Sequence, residues 1–309
     1  MVSGLKVCLL ALKALPYHPP KAQNRTFTRP RSFNMPRPVF SVSIRSVSIK
    51  SVVAAALACV TFWLPTTAPA QTVALASSLD AIQKAGVLRI CTPGDYKPFS
   101  FQKVDGAFEG LDVDLMASLT ASLGVKPEWV KTSWSNLMPD MVAGKCDMAV
   151  GGISVTTERQ KKAFFSSAYM VNGKTPIARC ADVAKYQSVA DIDKATTRVI
   201  FNPGGSNERF AKANFKQAQM RLNPENLTIF DEILANRADV FVTESAEAIT
   251  QQRLKPGLCA INPDKPLQYG EMAYLLPRGD VIFKAYIDQW LHLAKASGDY
   301  QRVEGQWLK

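Results

Sequence analysis

Residues 147–160, "DMAVGGISVTTERQ", contain a strand, a loop and the start of a helix in direct succession. The apolar run "MAV" ends at two glycines, which is typical of a short buried strand. "TTERQ" then supplies the polar residues that favour the first turn of a helix. Similar pairs of strand and helix recur on both sides, and this alternation predicts an α/β fold with a mainly parallel sheet. In such folds ligands bind beyond the carboxyl ends of the strands.

The pairs of strand and helix form two groups along the chain. The first group contains "VLRIC", "FEGLDVDLMASLTASLG", "KPEWVKT" and "WSNLMPDMVAG", and the second contains "TRVIFNP", "NERFAKANFKQA" and "DVFVTES". A strand, "MAYLLP", and C-terminal helices follow. This order predicts two α/β lobes that are joined by two crossings of the chain, with a ligand cleft between them. Lobe 1 is predicted over residues 71–174 and 273–309, and lobe 2 over residues 175–272.

The amino-terminal region, residues 1–70, has the features of a targeting segment. It contains nine Lys or Arg and no Asp or Glu. Its apolar run at residues 52–64 is too short for an ordinary membrane span, follows basic residues and precedes the small residues "APA" at 68–70. This pattern predicts a signal peptide over about residues 35–70, export to the periplasm, and no stable membrane association after cleavage. Residues 1–34 are interpreted as an overlong start.

The charge and the histidine content exclude several classes of function. Residues 71–309 contain 28 basic and 26 acidic residues, so a basic groove for nucleic acid is not expected. The same region has one histidine, His292, in a helical pattern near the C-terminus. A serine–histidine triad and a histidine-rich metal site are therefore poor hypotheses. No motif for a nucleotide or another cofactor is present, so we expect neither a metal nor a cofactor.

Four cysteines follow the targeting region, and an exported protein can pair them. Cys91 ends a predicted strand and Cys146 opens another. If these strands are adjacent and parallel, the two residues lie at opposite ends, too far apart for a disulfide. Cys180 and Cys259 flank the middle section of the chain. We therefore predict the pair Cys180–Cys259, although the sequence alone allows several pairings.

Four strings of the sequence resemble a known group of proteins. "GVLRICTPGDYKPFSF", "FEGLDVDLMASLTASLG", "DMAVGGISVTTERQKKAFFSSAYM" and "AYLLPRGD" look like the type II periplasmic solute-binding fold, in its amino-acid-binding branch. "TSWSNLM", "NGKTPI" and "NPGGSNERFAKAN" are more similar to the cyclohexadienyl dehydratases, exported enzymes on that fold. These enzymes convert prephenate to phenylpyruvate, and arogenate to phenylalanine, with loss of water and carbon dioxide. The resemblance covers nearly all of residues 79–309.

The resemblance implies a set of substrate-binding residues. Arg159 is expected to hold a substrate carboxylate, because the guanidinium fork can form two parallel hydrogen bonds with it. Ser154 would supply donors at the same end. Tyr96 and Trp134 are expected to form an apolar wall for the cyclohexadiene ring. Asn136, two residues after the tryptophan, is a candidate hydrogen-bond partner of the substrate.

Further candidates lie in the middle section of the chain. Lys174 is expected to face the dianionic substrate and to be part of the catalytic machinery, with Thr175 as an adjacent binding candidate. Ser206 and Asn207 belong to the glycine turn and helix N-terminus "NPGGSNERF", which favour an anion. Glu244 stands where amino-acid-binding proteins commonly use an aspartate for the ligand ammonium. It would either serve arogenate or only shape the pocket.

Glu208 is the predicted proton donor. Loss of the ring hydroxyl requires protonation of a poor leaving group. A cleft that closes over Glu208 beside an anionic substrate would raise the pKa of this carboxyl. An ordinary alternative is that an acidic residue simply favours the first turn of a helix. For the whole chain, the alternative to the enzyme is a non-catalytic amino-acid-binding protein of an ABC transporter.

Overall fold

The computed structural model describes residues 77–309. The targeting region predicted over residues 1–70 lies outside the described residues. Within the described part, no helix has both the length and the apolar character needed to cross a membrane.

Helices and strands alternate along the described chain, as the sequence patterns predict. Up to Phe165 the elements are α1 (Ser78–Ala85), β1 (Val87–Thr92), β2 (Asp95–Tyr96), β3 (Ser100–Gln102), β4 (Phe108–Glu109), α2 (Leu111–Leu123), β5 (Lys126–Lys131), α3 (Leu137–Val142), β6 (Met148–Ala149), α4 (Thr157–Gln160) and β7 (Phe164–Phe165). The middle section contains β8 (Met170–Arg179), α5 (Val189–Ile192), β9 (Arg198–Phe201), α6 (Ser206–Asn214), β10 (Gln219–Leu222), α7 (Ile229–Leu234), β11 (Val240–Glu244), α8 (Ser245–Leu254), β12 (Leu258–Ala260) and β13 (Gln268–Met272). The chain ends with β14 (Leu275–Leu276), α9 (Val281–Ser297) and α10 (Asp299–Leu308).

Two mixed sheets form the two lobes. The first sheet has the order β5-β1-β6-β14-β7, with β1 parallel to β5 and β6, and β14 antiparallel to its neighbours. The second has the order β10-β9-β11-β8-β12, with β9 parallel to β10 and β11, and β8 antiparallel to β11 and β12. The α/β prediction with two lobes is confirmed. The antiparallel strand β8 belongs to a segment that passes between the lobes. The antiparallel strand β14 comes directly after another such segment.

Each lobe has its own apolar core. The helix α2 contributes Leu115, Leu119 and Leu123 to the core of the first lobe, as their spacing predicts. A separate cluster fills the second lobe between its sheet and the helices α6, α7 and α8. Burial of these side chains, at about 1.5–3 kcal/mol each, is the main stabilising contribution in both lobes.

The strands β8 and β13 carry the chain between the lobes. They pair antiparallel from Met170 opposite Met272 to Lys174 opposite Gln268. Tyr169 and Met272 belong to the first core, whereas Ile177, farther along β8, belongs to the second. The division at 174/175 and 272/273 stays a prediction, because β8 runs without interruption from one core to the other.

The structure contains the predicted disulfide and one that the sequence argument had excluded. The pair Cys180–Cys259, with a Cα–Cα distance of 4.8 Å, is confirmed. Cys91 and Cys146 are also bonded, with their Cα atoms 5.7 Å apart, so the exclusion was wrong. Cys146 does not lie on a strand: β6 begins only at Met148, and Ala149 is the residue paired with Cys91. The bend before β6 brings Cys146 into the same buried cluster as Cys91.

Candidate functional site

A buried polar cluster lies where the two lobes meet. The Lys174 ammonium donates hydrogen bonds to Ser206 Oγ at 2.9 Å, to Asn207 Oδ1 at 2.5 Å and to Glu244 Oε1 at 2.7 Å. Lys174 is on the crossing strand β8, Ser206 and Asn207 begin α6, and Glu244 ends β11. Burial lowers the pKa of the Lys174 ammonium, and the neighbouring Glu244 carboxylate opposes this shift. The cluster therefore holds a lysine–glutamate ion pair that is almost fully removed from water.

The first lobe reaches this cluster through Ser154 and Arg159. Ser154 Oγ donates to Glu244 Oε1 at 2.7 Å and lies 3.0 Å from Ser206 Oγ. The Arg159 guanidinium donates to the Ser154 carbonyl at 2.8 Å, while its Nε has no hydrogen-bond partner among residues 77–309. Burial lowers the pKa of Arg159 to about 10, so the side chain remains charged at neutral pH. Two buried cations, Lys174 and Arg159, thus accompany one carboxylate.

Aromatic side chains form a wall next to the polar cluster. The rings of Tyr96 and Trp134 meet edge to face with centroids 5.4 Å apart, and Phe99 stacks on Tyr96 at 5.5 Å. Trp134 Nε1 donates to Asp95 Oδ1 at 3.0 Å, which sets the orientation of the indole. A small cavity between the lobes is lined by Tyr96, Trp134, Gly152, Ser154, Asn202, Gly205, Ser206 and Asn207. It combines apolar ring faces with hydroxyl and amide groups.

A buried aspartate of α2 holds the turn that leads to Ser154. Asp112 Oδ2 accepts hydrogen bonds from the backbone N–H groups of Gly151 and Gly152, at 2.7 and 2.8 Å, and from the Tyr169 hydroxyl at 3.0 Å. A Cβ at Gly152 would lie 2.6 Å from Phe99 and 2.7 Å from Tyr96, so the aromatic wall requires glycine there. This local packing connects the end of strand β6 both to the aromatic wall and to the turn that carries Ser154.

The structure brings a carboxyl to the site that the sequence analysis did not consider. Glu247, in the first turn of α8, is buried and accepts a hydrogen bond from Thr243 Oγ1, which in turn accepts one from Asn207 Nδ2 at 3.1 Å. Burial, together with the charge on Asp95, raises the pKa of Glu247 to about 8, against the opposing effect of the Thr243 hydrogen bond. At neutral pH this carboxyl therefore retains its proton.

Glu247 lies close to Tyr96 and therefore to the aromatic wall. Burial raises the pKa of the Tyr96 phenol well above its ordinary value, and the nearby carboxyl groups of Glu247 and Glu244 raise it further. In the sequence, "ESAE" is indistinguishable from an ordinary acidic first turn, because no apolar pattern marks its inner face. Only the position of α8 against β8 and β11 shows that this acidic residue is buried.

Glu208 does not occupy the environment that was predicted for it. Its Oε1 accepts from the exposed Lys212 ammonium at 2.6 Å and its Oε2 from the Gly204 backbone N–H at 2.6 Å. The Lys212 hydrogen bond holds the pKa of Glu208 below its ordinary value, so the expected rise is wrong. The reason is helical phase, because each residue turns about 100° from the last. Asn207 points into the cluster, and Glu208 points out of it.

Two further candidates lie apart from the cluster. Asn136 is exposed at the N-cap of α3 and does not line the cavity. Thr175 is buried, but its hydroxyl lies 2.6 Å from Ser245 Oγ. Successive residues of a strand point to opposite faces, so Lys174 and Thr175 cannot both face the cluster. The other predicted binding residues are brought together there: Tyr96, Trp134, Ser154, Arg159, Lys174, Ser206, Asn207 and Glu244.

Comparison with known proteins identifies the family. The profile of the bacterial extracellular solute-binding proteins, family 3, matches residues 88–309. The chain belongs to this family.

Three similar proteins represent both an enzyme and amino-acid-binding proteins. The curated cyclohexadienyl dehydratase of Pseudomonas aeruginosa is 46% identical over 254 residues, which cover 82% of this chain and 93% of the relative. An ancestral amino acid-binding protein, described as a precursor of cyclohexadienyl dehydratase, is 33% identical with a TM-score of 0.70, covering 75% of this chain and 100% of that one. An amino acid ABC transporter substrate-binding protein from Streptococcus pneumoniae, bound to L-arginine, is 28% identical with a TM-score of 0.68, covering 75% and 97%.

Proposed function

We propose that this chain is an exported cyclohexadienyl dehydratase, a lyase that converts prephenate to phenylpyruvate and arogenate to phenylalanine. The observation that carries the proposal is the burial of the Glu247 carboxyl beside an aromatic wall and two cations, which raises its pKa to about 8. The identity with the Pseudomonas dehydratase extends over almost the whole of that relative and supports the same conclusion. The fold itself does not discriminate, because binding proteins share it.

The charges of the site suit a substrate with two carboxylates. Arg159 and Lys174 supply two buried positive charges, and the Nε of Arg159, which has no partner in the described part of the chain, is a donor still to be satisfied. A carboxylate of the substrate would meet this donor and gain a charge-assisted hydrogen bond. Tyr96 and Trp134 would cover the faces of the cyclohexadiene ring. Lys174 acts in the reaction by holding the anionic substrate in place, with Ser154, Ser206 and Asn207 around it.

Glu247 replaces Glu208 as the proton donor in this proposal. The neutral Glu247 carboxyl transfers its proton to the ring hydroxyl, which leaves as water. As that C–O bond breaks, the bond between the ring and its carboxylate also breaks, and carbon dioxide departs. The electron pair of the broken C–C bond enters the ring and completes the aromatic system. Thr243 would hold the carboxyl in position throughout, and the proton is later restored from water.

The family and the targeting region both support an exported location. Family 3 consists of extracellular solute-binding proteins. We place the mature protein in the periplasm, after removal of the leader over about residues 35–70. The disulfides Cys91–Cys146 and Cys180–Cys259 suit an oxidising compartment.

The decisive experiment is turnover of prephenate by the purified protein at neutral pH, with phenylpyruvate as the measured product. We expect catalysis well above the spontaneous rate, and its loss in Glu247→Gln, which keeps the shape but not the acidic proton. Glu208→Gln is the matched control and should remain active. A protein that binds amino acids tightly but yields no phenylpyruvate would instead be a transport receptor.

A further inference from the structure

The two proposed substrates differ only in the side-chain group next to one carboxylate. Prephenate has a neutral ketone at that position and arogenate has an ammonium. The ring, its hydroxyl and its carboxylate are the same in both. Any preference between them must therefore come from the protein groups that meet the ketone or the ammonium. An ammonium requires an anionic acceptor, whereas a ketone requires only neutral or cationic donors.

We infer that the site favours the keto acid prephenate over the amino acid arogenate, because Lys174 already occupies the carboxylate of Glu244. This inference rests on the proposed function and names the preferred substrate of the same site. The evidence is the hydrogen bonding of Glu244. Its Oε1 accepts both from Lys174 at 2.7 Å and from Ser154 at 2.7 Å.

The second oxygen of Glu244 lies on the far side of the cluster from the aromatic cavity. Oε2 is 3.7 Å from the point where a Cβ would stand at Gly270, on the crossing strand β13. Glu244 lines the groove on that side together with Lys174, Arg209 and Tyr269, and neither Glu244 nor Lys174 is among the residues that line the cavity with Tyr96 and Trp134. An ammonium that approached this carboxylate would therefore also meet the ammonium of Lys174, 2.7 Å from Glu244 Oε1.

The two other carboxyl groups near the cavity are engaged as well. Glu247 accepts from Thr243, and burial raises its pKa to about 8, which disfavours the negative charge that an ammonium requires. Asp95 accepts from Trp134 Nε1, and burial raises its pKa. Within the described cleft, an ammonium would thus face two cations, Lys174 and Arg159, and one ionised carboxylate, Glu244, whose Oε1 is already shared by Lys174 and Ser154. A ketone could instead accept a hydrogen bond from Arg159 Nε, which has no partner among residues 77–309, whereas the three ammonium hydrogens of Lys174 are already donated.

The test compares the two substrates on the wild-type protein and on charge variants. We expect kcat/KM for prephenate to exceed that for arogenate by at least about 10-fold, which corresponds to about 1.4 kcal/mol. In Lys174→Met the Glu244 carboxylate becomes free for the ammonium. The ratio of kcat/KM for prephenate to kcat/KM for arogenate should then fall by about 10-fold or more, because kcat/KM for arogenate decreases much less than kcat/KM for prephenate. Lys212→Met removes an exposed lysine and is the matched control, in which the ratio should not change.

A double variant removes the risk that an unpaired Glu244 unfolds the single variant. Lys174→Met with Glu244→Gln contains neither charge, so it leaves no buried ion without a partner. We expect it to treat the two substrates within about 3-fold of each other, because neither charge of the pair remains to discriminate the ketone from the ammonium. Calorimetric binding of phenylpyruvate and of L-phenylalanine gives the same comparison for any variant that binds but does not turn over.

The outcomes separate the inference from the proposed function. Turnover of neither substrate by the wild type would overturn the proposed function itself. Turnover of both within about 3-fold would leave that function standing and overturn the inference. The inference also fails if Lys174→Met lowers kcat/KM equally for both substrates, or if the double variant keeps the wild-type selectivity.

Discussion

The protonation of Glu247 makes the stability of the protein depend on pH in a specific direction. The pKa of Glu247 is raised from 4.5 to about 8 by burial in the folded protein. Between these values the folded state holds a proton that the unfolded state has lost. Because the unfolded state binds fewer protons, the free energy of unfolding decreases as the pH rises. Below about pH 4.5 both states are protonated and the effect vanishes.

The expected magnitude is large enough to measure. Each pH unit within this window removes about 1.4 kcal/mol from the free energy of unfolding, and the total from pH 5 to pH 8 is about 3.5 kcal/mol. Glu247→Gln abolishes the titration and can still accept the Thr243 hydrogen bond. The difference in stability between the wild type and this variant isolates the contribution of Glu247, because all other groups titrate in both proteins.

Urea unfolding at several values between pH 5 and pH 8 provides the assay. The variant should become more stable relative to the wild type with each step in pH. In Glu208→Gln the trend should be weak and opposite in sign, since the pKa of that carboxyl is lowered in the folded protein. A difference for Glu247→Gln that changes by less than about 1 kcal/mol over the range would refute a protonated Glu247. The proposed proton donor would then lose its physical basis.

Three other predictions follow from the same contacts. Glu208→Gln should keep kcat for prephenate within about 3-fold of the wild type. The ion pair that Glu208 forms with the exposed Lys212 should contribute only about 0.5 kcal/mol to the free energy of unfolding. A complete loss of turnover in this variant would restore Glu208 as the proton donor. Arg159→Lys should raise KM for prephenate by about 10- to 100-fold, since a charge-assisted hydrogen bond is lost, and an unchanged KM would contradict its role. Replacing Cys180 and Cys259 by serine should lower the free energy of urea unfolding by about 4 kcal/mol, because the bond closes a loop with a sequence separation of 79; a loss below about 1 kcal/mol would contradict this.

Local patterns accounted for most of the fold and for part of the site. The alternation of apolar strands and amphipathic helices predicts the two α/β lobes, since those periodicities are local properties of the chain. The resemblance to known proteins indicated Arg159, Lys174 and Glu244, whose side chains converge in the structure. These residues lie up to 85 positions apart along the chain, so no local pattern alone could have paired them.

The errors arose where the orientation of a side chain depends on packing. Cys146 bonds to Cys91 because the chain bends before β6, and the one-letter pattern does not show that bend. The Thr175 side chain points away from the cluster because side chains alternate between the two faces of β8. The Glu208 side chain points away because of its angular position around α6. Of these elements only the helix α6 was predicted as such, and there the rotation relative to the cleft was not.

The sequence alone therefore establishes the two-lobed architecture, the near balance of charge after the leader and the presence of candidate acids. Which acid keeps its proton is decided by the tertiary structure. Glu208 and Glu247 are both glutamates in the first turn of a helix. One lies beside an exposed lysine and ionises readily, whereas the other is enclosed by β8, β11 and the aromatic wall and does not. The pKa of a carboxyl depends on the solvent and charges around it, and these are brought together only when the lobes pack.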